Sequence, residues 1–114
     1  MIYLASPYTH KDTAVMVMRY KMACAATAEM ILKGKVVYSP IVHTHPLHHY
    51  GVRGSWQDFW HENKAFMDVC DTVAVLMIPG WRESEGVQAE IEYAEKNHKS
   101  LLFLEAPDFN GGEL

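Results

Sequence analysis

The sequence has few cysteines and no excess of positive charge. Its two cysteines, Cys24 and Cys70, lie far apart and form no CxxC or metal-finger spacing, so we expect both to be reduced core residues of a cytoplasmic protein. The 114 residues include 10 Lys and Arg against 14 Asp and Glu, for a formal net charge of -4. Because a nucleic-acid polymer requires a basic patch on its partner, we expect no such polymer as a ligand. The argument does not apply to a single nucleotide.

Long hydrophobic runs and the familiar nucleotide-binding motifs are also lacking. No apolar stretch approaches the ~20 residues that span a bilayer, and the N-terminus enters an apolar segment without a basic leader. We therefore expect no membrane partner and no secretory signal. The patterns GxGxxG, GxxxxGK[ST] and GxSxG do not occur, which disfavours a dinucleotide enzyme, a P-loop NTPase and an α/β-hydrolase.

What the sequence does contain is an alternation of apolar segments and helical patterns. Four apolar segments predict strands over 2–5, 35–41, 72–78 and 100–104. The third is an uninterrupted apolar run, which is typical of a central parallel strand covered on both faces. Three stretches with helical spacing or composition predict helices over 12–33, 56–69 and 84–97.

The connections between these elements carry the proline, glycine and histidine residues. The segment Val42–Ser55 holds four histidines, a proline and two glycines, so we predict an irregular loop there. Pro79–Trp81 is predicted to be a turn, and Ala106–Leu114 a polar tail. Gly34 follows the first helical pattern, where glycine commonly caps a helix.

The order β-α-β-α-β-α-β predicts a single α/β domain over residues 1–114. Such alternation produces a parallel sheet with right-handed crossovers and helices on both faces. We expect a three-layer flavodoxin-like or Rossmann-like sandwich of four to five strands in the order 2-1-3-4. Ligands of such sheets bind beyond the carboxyl ends of the strands, at the switch point between the first and third strands.

A carboxylate on the apolar stripe of the last helix is the first candidate for chemistry. Val87, Ile91 and Ala94 recur at helical spacing, and Glu90 lies on or beside that stripe. Glu90 is either a surface glutamate at the edge of the stripe or a group that faces the ligand crevice. A partly buried carboxylate needs a hydrogen-bonding partner. Tyr3 either fills the core or donates its hydroxyl to Glu90 and keeps that carboxyl ionised.

The start of the same helix also allows two interpretations. Ser84 is either the N-cap of the helix or, together with Gly86, part of an anion site built from free backbone N–H groups. Glu83 and Glu85 flank this position and would repel a phosphate. The cations that would have to offset this repulsion are Arg19, Arg53 or Arg82.

The histidine-rich loop looks at first like a metal site. His43 and His45 could ligate together, but neither an HExxH pattern nor a cysteine accompanies them, and Pro46 is expected to break any helix. We therefore predict no metal and no other cofactor, and expect the loop to line the pocket with a histidine touching substrate. The aromatic residues are expected mainly in the core or at subunit contacts, with one stacking on a base: Trp56, Phe59, Trp60 and Trp81.

Four segments together resemble the nucleoside 2-deoxyribosyltransferase-like family, particularly its short members. They are Ile2–Pro7, Cys70–Val75, Pro79–Trp81 and Ser84–Ala94, the last being the most specific. The resemblance covers most of the chain from Met1 to Leu104. It implies that Glu90 is the nucleophile, that Tyr3 orients the carboxylate of Glu90, and that Asp71 assists at the sugar or base. From its position alone, Asp71 is an ordinary loop aspartate, with Asp68 as a competing choice.

The resemblance also implies a substrate. In members that act on nucleoside 5′-monophosphates, a serine six residues before the glutamate helps to hold the phosphate, and Ser84 has this spacing. The glycine- and arginine-bearing loop of some phosphate-binding relatives is replaced here by Pro7–His10. We expect cleavage of the N-glycosidic bond of a (deoxy)nucleoside 5′-monophosphate. The substrate-contacting residues are expected to be Ser6, Pro7, Tyr8, His43, His45, Gly80, Trp81, Ser84 and Gly86.

Three other functions stay open. One is base exchange on unphosphorylated deoxynucleosides, which Glu83 and Glu85 favour. Another is a non-catalytic nucleotide-binding module that uses the same crevice. The third is a metal-dependent hydrolase that uses His43 and His45. Small domains of the resembling family commonly assemble, so we also expect a homo-oligomer, either a dimer or a tetramer.

Overall fold

The computed structural model describes residues 1–107, in which four strands form one parallel sheet. The strand order is β2-β1-β3-β4, and every neighbouring pair is parallel. This confirms the predicted α/β sandwich and its 2-1-3-4 order. The polar tail that the sequence predicts lies, from residue 108 onward, outside the described residues. The strands are β1 (Ile2–Ala5), β2 (Val37–Tyr38), β3 (Thr72–Met77) and β4 (Ser100–Glu105).

Four α-helices and one 3₁₀ helix connect the strands. Asp12 caps the first helix, because its side chain accepts a hydrogen bond from the N–H of Ala14 at 2.9 Å. Gly34 follows the end of that helix with a positive φ of 83°, as expected for a helix-terminating glycine. The α-helices are α1 (Thr13–Leu32), α2 (Pro40–Thr44), α3 (Trp56–Asp68) and α4 (Glu85–Lys96), and the 3₁₀ helix covers His45–Tyr50.

The histidine-rich segment is more regular than the sequence predicts. The expectation of an irregular loop over Val42–Ser55 is wrong in its first part, which forms α2 and the 3₁₀ helix. Ser39 caps α2 by accepting from the N–H of Val42, and Pro40 lies in the first turn of α2, where its missing N–H costs nothing. Pro46 likewise lies at the start of the 3₁₀ helix instead of interrupting one. Early entry into α2 also shortens β2 to two residues.

The two faces of the sheet bury different helices. Side chains alternate along β1 and β3, so that Tyr3 and Val73 face α3 and α4, whereas Leu4 and Ala74 face α1 and contact Ala26. Helices therefore cover both faces, as the three-layer prediction requires. Both cysteines are free, as predicted, and Cys70 is buried in the same cluster as Tyr3. Cys24 on α1 is only partly buried, so the expectation that it is a core residue is wrong. Within residues 1–107, no helix is long and apolar enough to cross a membrane.

Candidate active site

The carboxyl group of Glu90 is buried beside the hydroxyl of Tyr3. Glu90 is only 6% exposed and lies on the face of α4 that buries Val87 and Ala94. Tyr3 is completely buried, and its hydroxyl donates a hydrogen bond to Oε2 of Glu90. The alternation of β1 points Tyr3 toward α4. The structure therefore brings these two predicted residues together.

Burial dominates the ionisation of this pair. Loss of solvent raises the pKa of Glu90 from 4.5 to about 8, and the hydrogen bond from Tyr3 offsets only part of that rise. Burial and the neighbouring carboxyl also raise the pKa of Tyr3. The sequence predicts that Tyr3 keeps Glu90 ionised. The hydrogen bond from Tyr3 does lower the pKa of Glu90, as predicted, but it lowers the pKa by less than desolvation raises it. A carboxyl with a pKa of about 8 is mostly protonated at neutral pH.

Glu90 borders a cavity of about 330 Å³. The cavity lies beyond the carboxyl ends of β1, β2 and β3, because residues that follow each of these strands line it. One wall is aromatic and comes from α3, where Trp56, Phe59 and Trp60 line the cavity. The opposite walls are polar, and they come from the β1–α1 connection, the 3₁₀ helix and the start of α4. A carboxyl group, an aromatic wall and several polar groups thus converge on one concave site.

Ser6 offers an unused hydroxyl at this cavity. The residue is 6% exposed and lines the cavity directly after β1. Its Oγ is buried and has no hydrogen-bond partner among the described residues. A buried polar group without a partner is costly, so a hydrogen bond to this hydroxyl would stabilise the site.

Tyr8 joins two histidines of the 3₁₀ helix on the polar side of the cavity. The hydroxyl of Tyr8 lies 2.5 Å from Nδ1 of His45 and 3.3 Å from Nδ1 of His48. The ring of His45 also stacks on Tyr20, with centroids 4.1 Å apart. Burial, together with neighbouring positive charges, lowers the pKa of both histidines. These groups form a hydrogen-bonding network that faces the ligand space.

His48 is a cavity residue that the sequence reasoning missed. Side chains three residues apart lie on the same side of a 3₁₀ helix, so His45 and His48 face the cavity together. The spacing was visible in the sequence, but it becomes informative only if the segment is known to be a 3₁₀ helix. Thr44, Gly54, Ser55 and Asn63 also line the cavity and carried no recognisable pattern.

The start of α4 supports the capping interpretation of Ser84. Its Oγ accepts a hydrogen bond from the N–H of Val87 at 3.2 Å, and it lines the cavity between Glu83 and Glu85. Gly86 allows α4 to approach α3 closely, because a Cβ at this position would lie 3.3 Å from Cβ of Trp56. The glycine thus has a packing role at the helix contact. Oε2 of Glu85 accepts from the indole N–H of Trp56 at 3.3 Å.

Several residues predicted to contact substrate do not line the cavity. His43 is half exposed, lies 3.6 Å from Glu62 and is tilted against the ring of Tyr38. Trp81 packs against Phe103, with the guanidinium of Arg82 over its ring. The two others are Pro7, which is buried, and Gly80, which has a φ of 95° and lies against the guanidinium of Arg19.

Asp71 lies at the amino ends of the strands, at the opposite edge of the sheet from the cavity. Its side chain is 82% exposed. Its Oδ1 accepts from the hydroxyl of Thr72 at 3.1 Å and lies 3.5 Å from the N-terminal ammonium of Met1. These two partners lower the pKa of Asp71. Within this chain, the structure does not bring Asp71 to Glu90.

The part of the chain that the structure describes contains no cluster of potential metal ligands. Residues 1–107 contain no group of three or more His, Cys, Asp and Glu side chains that could hold a metal ion. His43 interacts with Glu62, whereas His45 is bonded to Tyr8. The two histidines that the sequence suggested as joint ligands therefore have different partners.

Comparison with known proteins identifies the family of the chain. No curated protein matches the sequence. A family model described as a domain of unknown function (DUF1937) matches residues 1–106. That range includes all four strands, the helices between them and every residue that lines the cavity. Since the match extends over nearly the whole chain, the chain belongs to the DUF1937 family.

Proposed function

We propose that the chain cleaves the N-glycosidic bond of a (deoxy)nucleoside 5′-monophosphate, with Glu90 as the nucleophile. The observation that carries the proposal is the buried carboxyl of Glu90, which is hydrogen-bonded to Tyr3 and borders a cavity of about 330 Å³. A carboxyl whose pKa is strongly perturbed inside a cleft is a frequent mark of a catalytic group. The sequence resemblance to the nucleoside 2-deoxyribosyltransferase-like family supports the same assignment.

The reaction proceeds in two steps. In the first, a carboxylate oxygen of Glu90 attacks the anomeric carbon, the bond from that carbon to the base nitrogen breaks, and a glycosyl ester forms. The base takes the bonding electron pair and requires a proton. In the second step, water attacks the anomeric carbon and the ester bond from that carbon to Glu90 breaks, which releases the sugar phosphate and regenerates the carboxylate. The proton that water loses returns to the group that protonated the base. The transition states resemble an oxocarbenium ion, which the negative charge of Glu90 stabilises.

The cavity provides groups for both ends of a nucleoside. The aromatic wall of Trp56 and Trp60 suits stacking against a base. The unpartnered hydroxyl of Ser6 suits a sugar oxygen near Glu90. Of the proton donors that the sequence suggests, the loop histidine His45 lines the cavity, whereas Asp71 lies at the other edge of the sheet.

The protonation of Glu90 sets a condition on this mechanism. A nucleophilic carboxylate must be ionised, yet burial raises the pKa of Glu90 to about 8. Activity is therefore expected to rise with pH, with its midpoint near that value. Positive charge that develops on the sugar next to Glu90 favours the ionised form of this carboxyl. The ionisation of Glu90 is therefore coupled to the reaction.

The proposal is tested by a panel of nucleosides and nucleoside 5′-monophosphates, with and without an acceptor base. Released base and sugar are identified by chromatography and mass spectrometry. Free base and sugar phosphate from at least one nucleotide, lost in Glu90→Gln, support the proposal. Absence of any glycosidic cleavage across the panel, despite measured ligand binding, would instead favour a non-catalytic nucleotide-binding module.

Base exchange on unphosphorylated deoxynucleosides is the second candidate. The observation that favours it is the pair Glu83 and Glu85, which line the cavity on both sides of Ser84 and oppose an anion there. In that case the acceptor base, not water, resolves the glycosyl ester. A new nucleoside formed only when acceptor base is present identifies this activity.

Self-assembly is a further part of the proposal. Leu102 and Phe103 on β4 are about half exposed, at 46% and 48%, and β4 is the last strand of the sheet in residues 1–107. An apolar edge of this kind suits a homo-oligomer, either a dimer or a tetramer. Light scattering after size-exclusion chromatography measures the assembly. The two free cysteines suit a cytoplasmic location.

A further inference from the structure

A second cavity of about 270 Å³ adjoins the first. Four residues line both cavities, and three of them belong to the network that Tyr8 forms with the 3₁₀ helix. A ligand that lies beside Glu90 can therefore reach this side cavity past the same side chains. The shared residues are Tyr8, His45, His48 and Gly54, and the side cavity adds Thr13, Met16 and Arg53.

The two cavities differ in charge. Glu83, Glu85 and Glu90 line the main cavity. The side cavity is lined by Arg53, and none of its lining residues carries a carboxylate. The positive charge of Arg53 acts on His48 as well, where it adds to burial in lowering the histidine pKa. An anionic group is thus favoured in the side cavity and disfavoured at the start of α4.

Arg53 has no competing partner among the described residues. Within residues 1–107, its guanidinium makes no hydrogen bond or ion pair. Two other arginines near the carboxyl edge of the sheet are engaged. Arg19 donates to the backbone carbonyls of Thr9 and Pro79, and Arg82 lies over the ring of Trp81.

The geometry points to the side cavity as the site that holds the 5′-phosphate of the substrate, with Arg53 as its principal ligand. This inference rests on the proposed function and changes one part of it, since the sequence resemblance assigns the phosphate to Ser84. The planar guanidinium of Arg53 matches two phosphate oxygens at once. The hydroxyl of Tyr8 and the imidazole of His48 line the same space and can donate to the remaining oxygens.

The orientation of the substrate follows from this placement. With the phosphate beside Arg53, the sugar lies between Tyr8 and Glu90, and the base extends toward the aromatic wall of α3. Glu83 and Glu85 are then kept away from the phosphate. The acidic pair becomes a specificity feature, because it disfavours a substrate bound in the reverse direction.

Binding of the proposed product, 2-deoxyribose 5-phosphate, tests the inference without knowledge of the base. Isothermal titration calorimetry compares it with 2-deoxyribose on the wild type and four variants: Arg53→Gln, Arg53→Lys, Arg82→Gln and Ser84→Ala. The wild type is expected to bind the phosphorylated sugar at least about tenfold more tightly. Arg53→Gln should lose this preference, Arg53→Lys should keep part of it, and Arg82→Gln and Ser84→Ala should keep it in full.

Three results would overturn the inference: a full preference for phosphate in Arg53→Gln, a loss of preference in Ser84→Ala alone, or no preference in the wild type. Failure of the proposed function looks different. If no glycosidic bond is cleaved but Arg53 still determines the phosphate preference, the anion site stands without the reaction. If unphosphorylated nucleosides are cleaved and phosphate has no effect on binding, only the inference of a phosphate site is wrong, and the glycosidic cleavage stands.

Discussion

The hydroxyl of Tyr3 on β1 donates a hydrogen bond to the carboxyl of Glu90 on α4, although 87 positions of sequence separate the two residues. Both residues are buried, and the carboxyl borders the main cavity. The pair combines a nucleophile with the group that orients it, which is the arrangement an activated carboxylate needs. Several measurements can test whether it works in this way.

Replacing the carboxyl should abolish the chemistry while preserving the fold. Glu90→Gln keeps the size of the side chain and an oxygen that can accept from Tyr3, but it removes the nucleophile. We expect kcat/KM for base release to fall by roughly 10⁴-fold or more. Glu92→Gln is the matched control, since Glu92 lies on the exposed face of α4 and pairs with Lys96 at 2.9 Å. Equal activity in Glu90→Gln and wild type would rule out Glu90 as the nucleophile.

Removing the hydroxyl of Tyr3 should change the pH profile. In the wild type, kcat/KM is expected to rise with pH, with a midpoint near pH 8 where half of Glu90 is ionised, and to level off above it. Tyr3→Phe removes a hydrogen bond that lowers the pKa of Glu90, so the rise should move to higher pH. Activity at pH 7 should fall by roughly tenfold, because the variant loses a charge-assisted hydrogen bond that contributes about 1.5 kcal/mol.

A tyrosine outside the cavity provides the control for this profile. Tyr93 lies about one turn after Glu90 on α4 and does not line the cavity, and its hydroxyl donates to Asp68 at 2.5 Å. Tyr93→Phe should therefore retain the wild-type profile. A profile that keeps its midpoint in Tyr3→Phe would show that Tyr3 has no influence on the ionisation of Glu90.

The same carboxyl should make the folded state less stable at high pH. The pKa of Glu90 is about 8 in the folded chain and 4.5 when solvated, so between these values the folded state holds a proton that the unfolded state has lost. Its contribution to the free energy of unfolding therefore decreases as pH rises through this interval, by about 3 kcal/mol between pH 5.5 and 8.5.

Urea unfolding at these two pH values measures the effect. Glu90→Gln lacks the titrating group, so it should gain stability relative to wild type as pH rises. The pKa of Glu92 is lowered by its hydrogen bond to Lys96, so Glu92→Gln should not share this gain. If the difference in the free energy of unfolding between wild type and Glu90→Gln were the same at both pH values, the carboxyl would not titrate in this range.

Asp71 provides a test of the sequence resemblance against the geometry. The resemblance implies a role at the sugar or base, whereas the structure places Asp71 at the amino ends of the strands with an exposed side chain. From the geometry of the single chain, we expect Asp71→Asn to keep kcat/KM within about threefold, in the range of ordinary surface substitutions. A loss of 100-fold or more would restore the catalytic assignment.

The histidine-rich segment should divide into one functional and one structural histidine. His45 lines the cavity and is bonded to Tyr8, so His45→Gln should lower kcat/KM by roughly tenfold, as expected for a lost hydrogen-bonding group at the cavity. His43 lies outside the cavity beside Glu62, so His43→Gln should have little effect, and a chelator none. If both variants and the chelator abolished activity, the metal-dependent hydrolase would be the correct interpretation.

The sequence by itself determined the order of the four strands and the three long helices, and the position of Glu90 within its helix. Both follow from local periodicity: the alternation of apolar strands with helical patterns implies a 2-1-3-4 parallel sheet, and a carboxylate three residues after Val87 must lie on the buried stripe of α4. The link between Tyr3 and Glu90 could be anticipated because the fold class brings β1 beside the helix that follows β3.

Only the tertiary structure decided the properties that depend on several elements at once. The pKa of Glu90 reflects its burial in the folded chain, offset in part by the hydrogen bond from Tyr3, and no local pattern reports the extent of that burial. The network of Tyr8 with His45 and His48 required α2 and the 3₁₀ helix, which proline at a helix start made possible. The guanidinium of Arg53, which has no partner within residues 1–107, likewise became informative only from the cavity beside it, because the role of a charge depends on its neighbours in space.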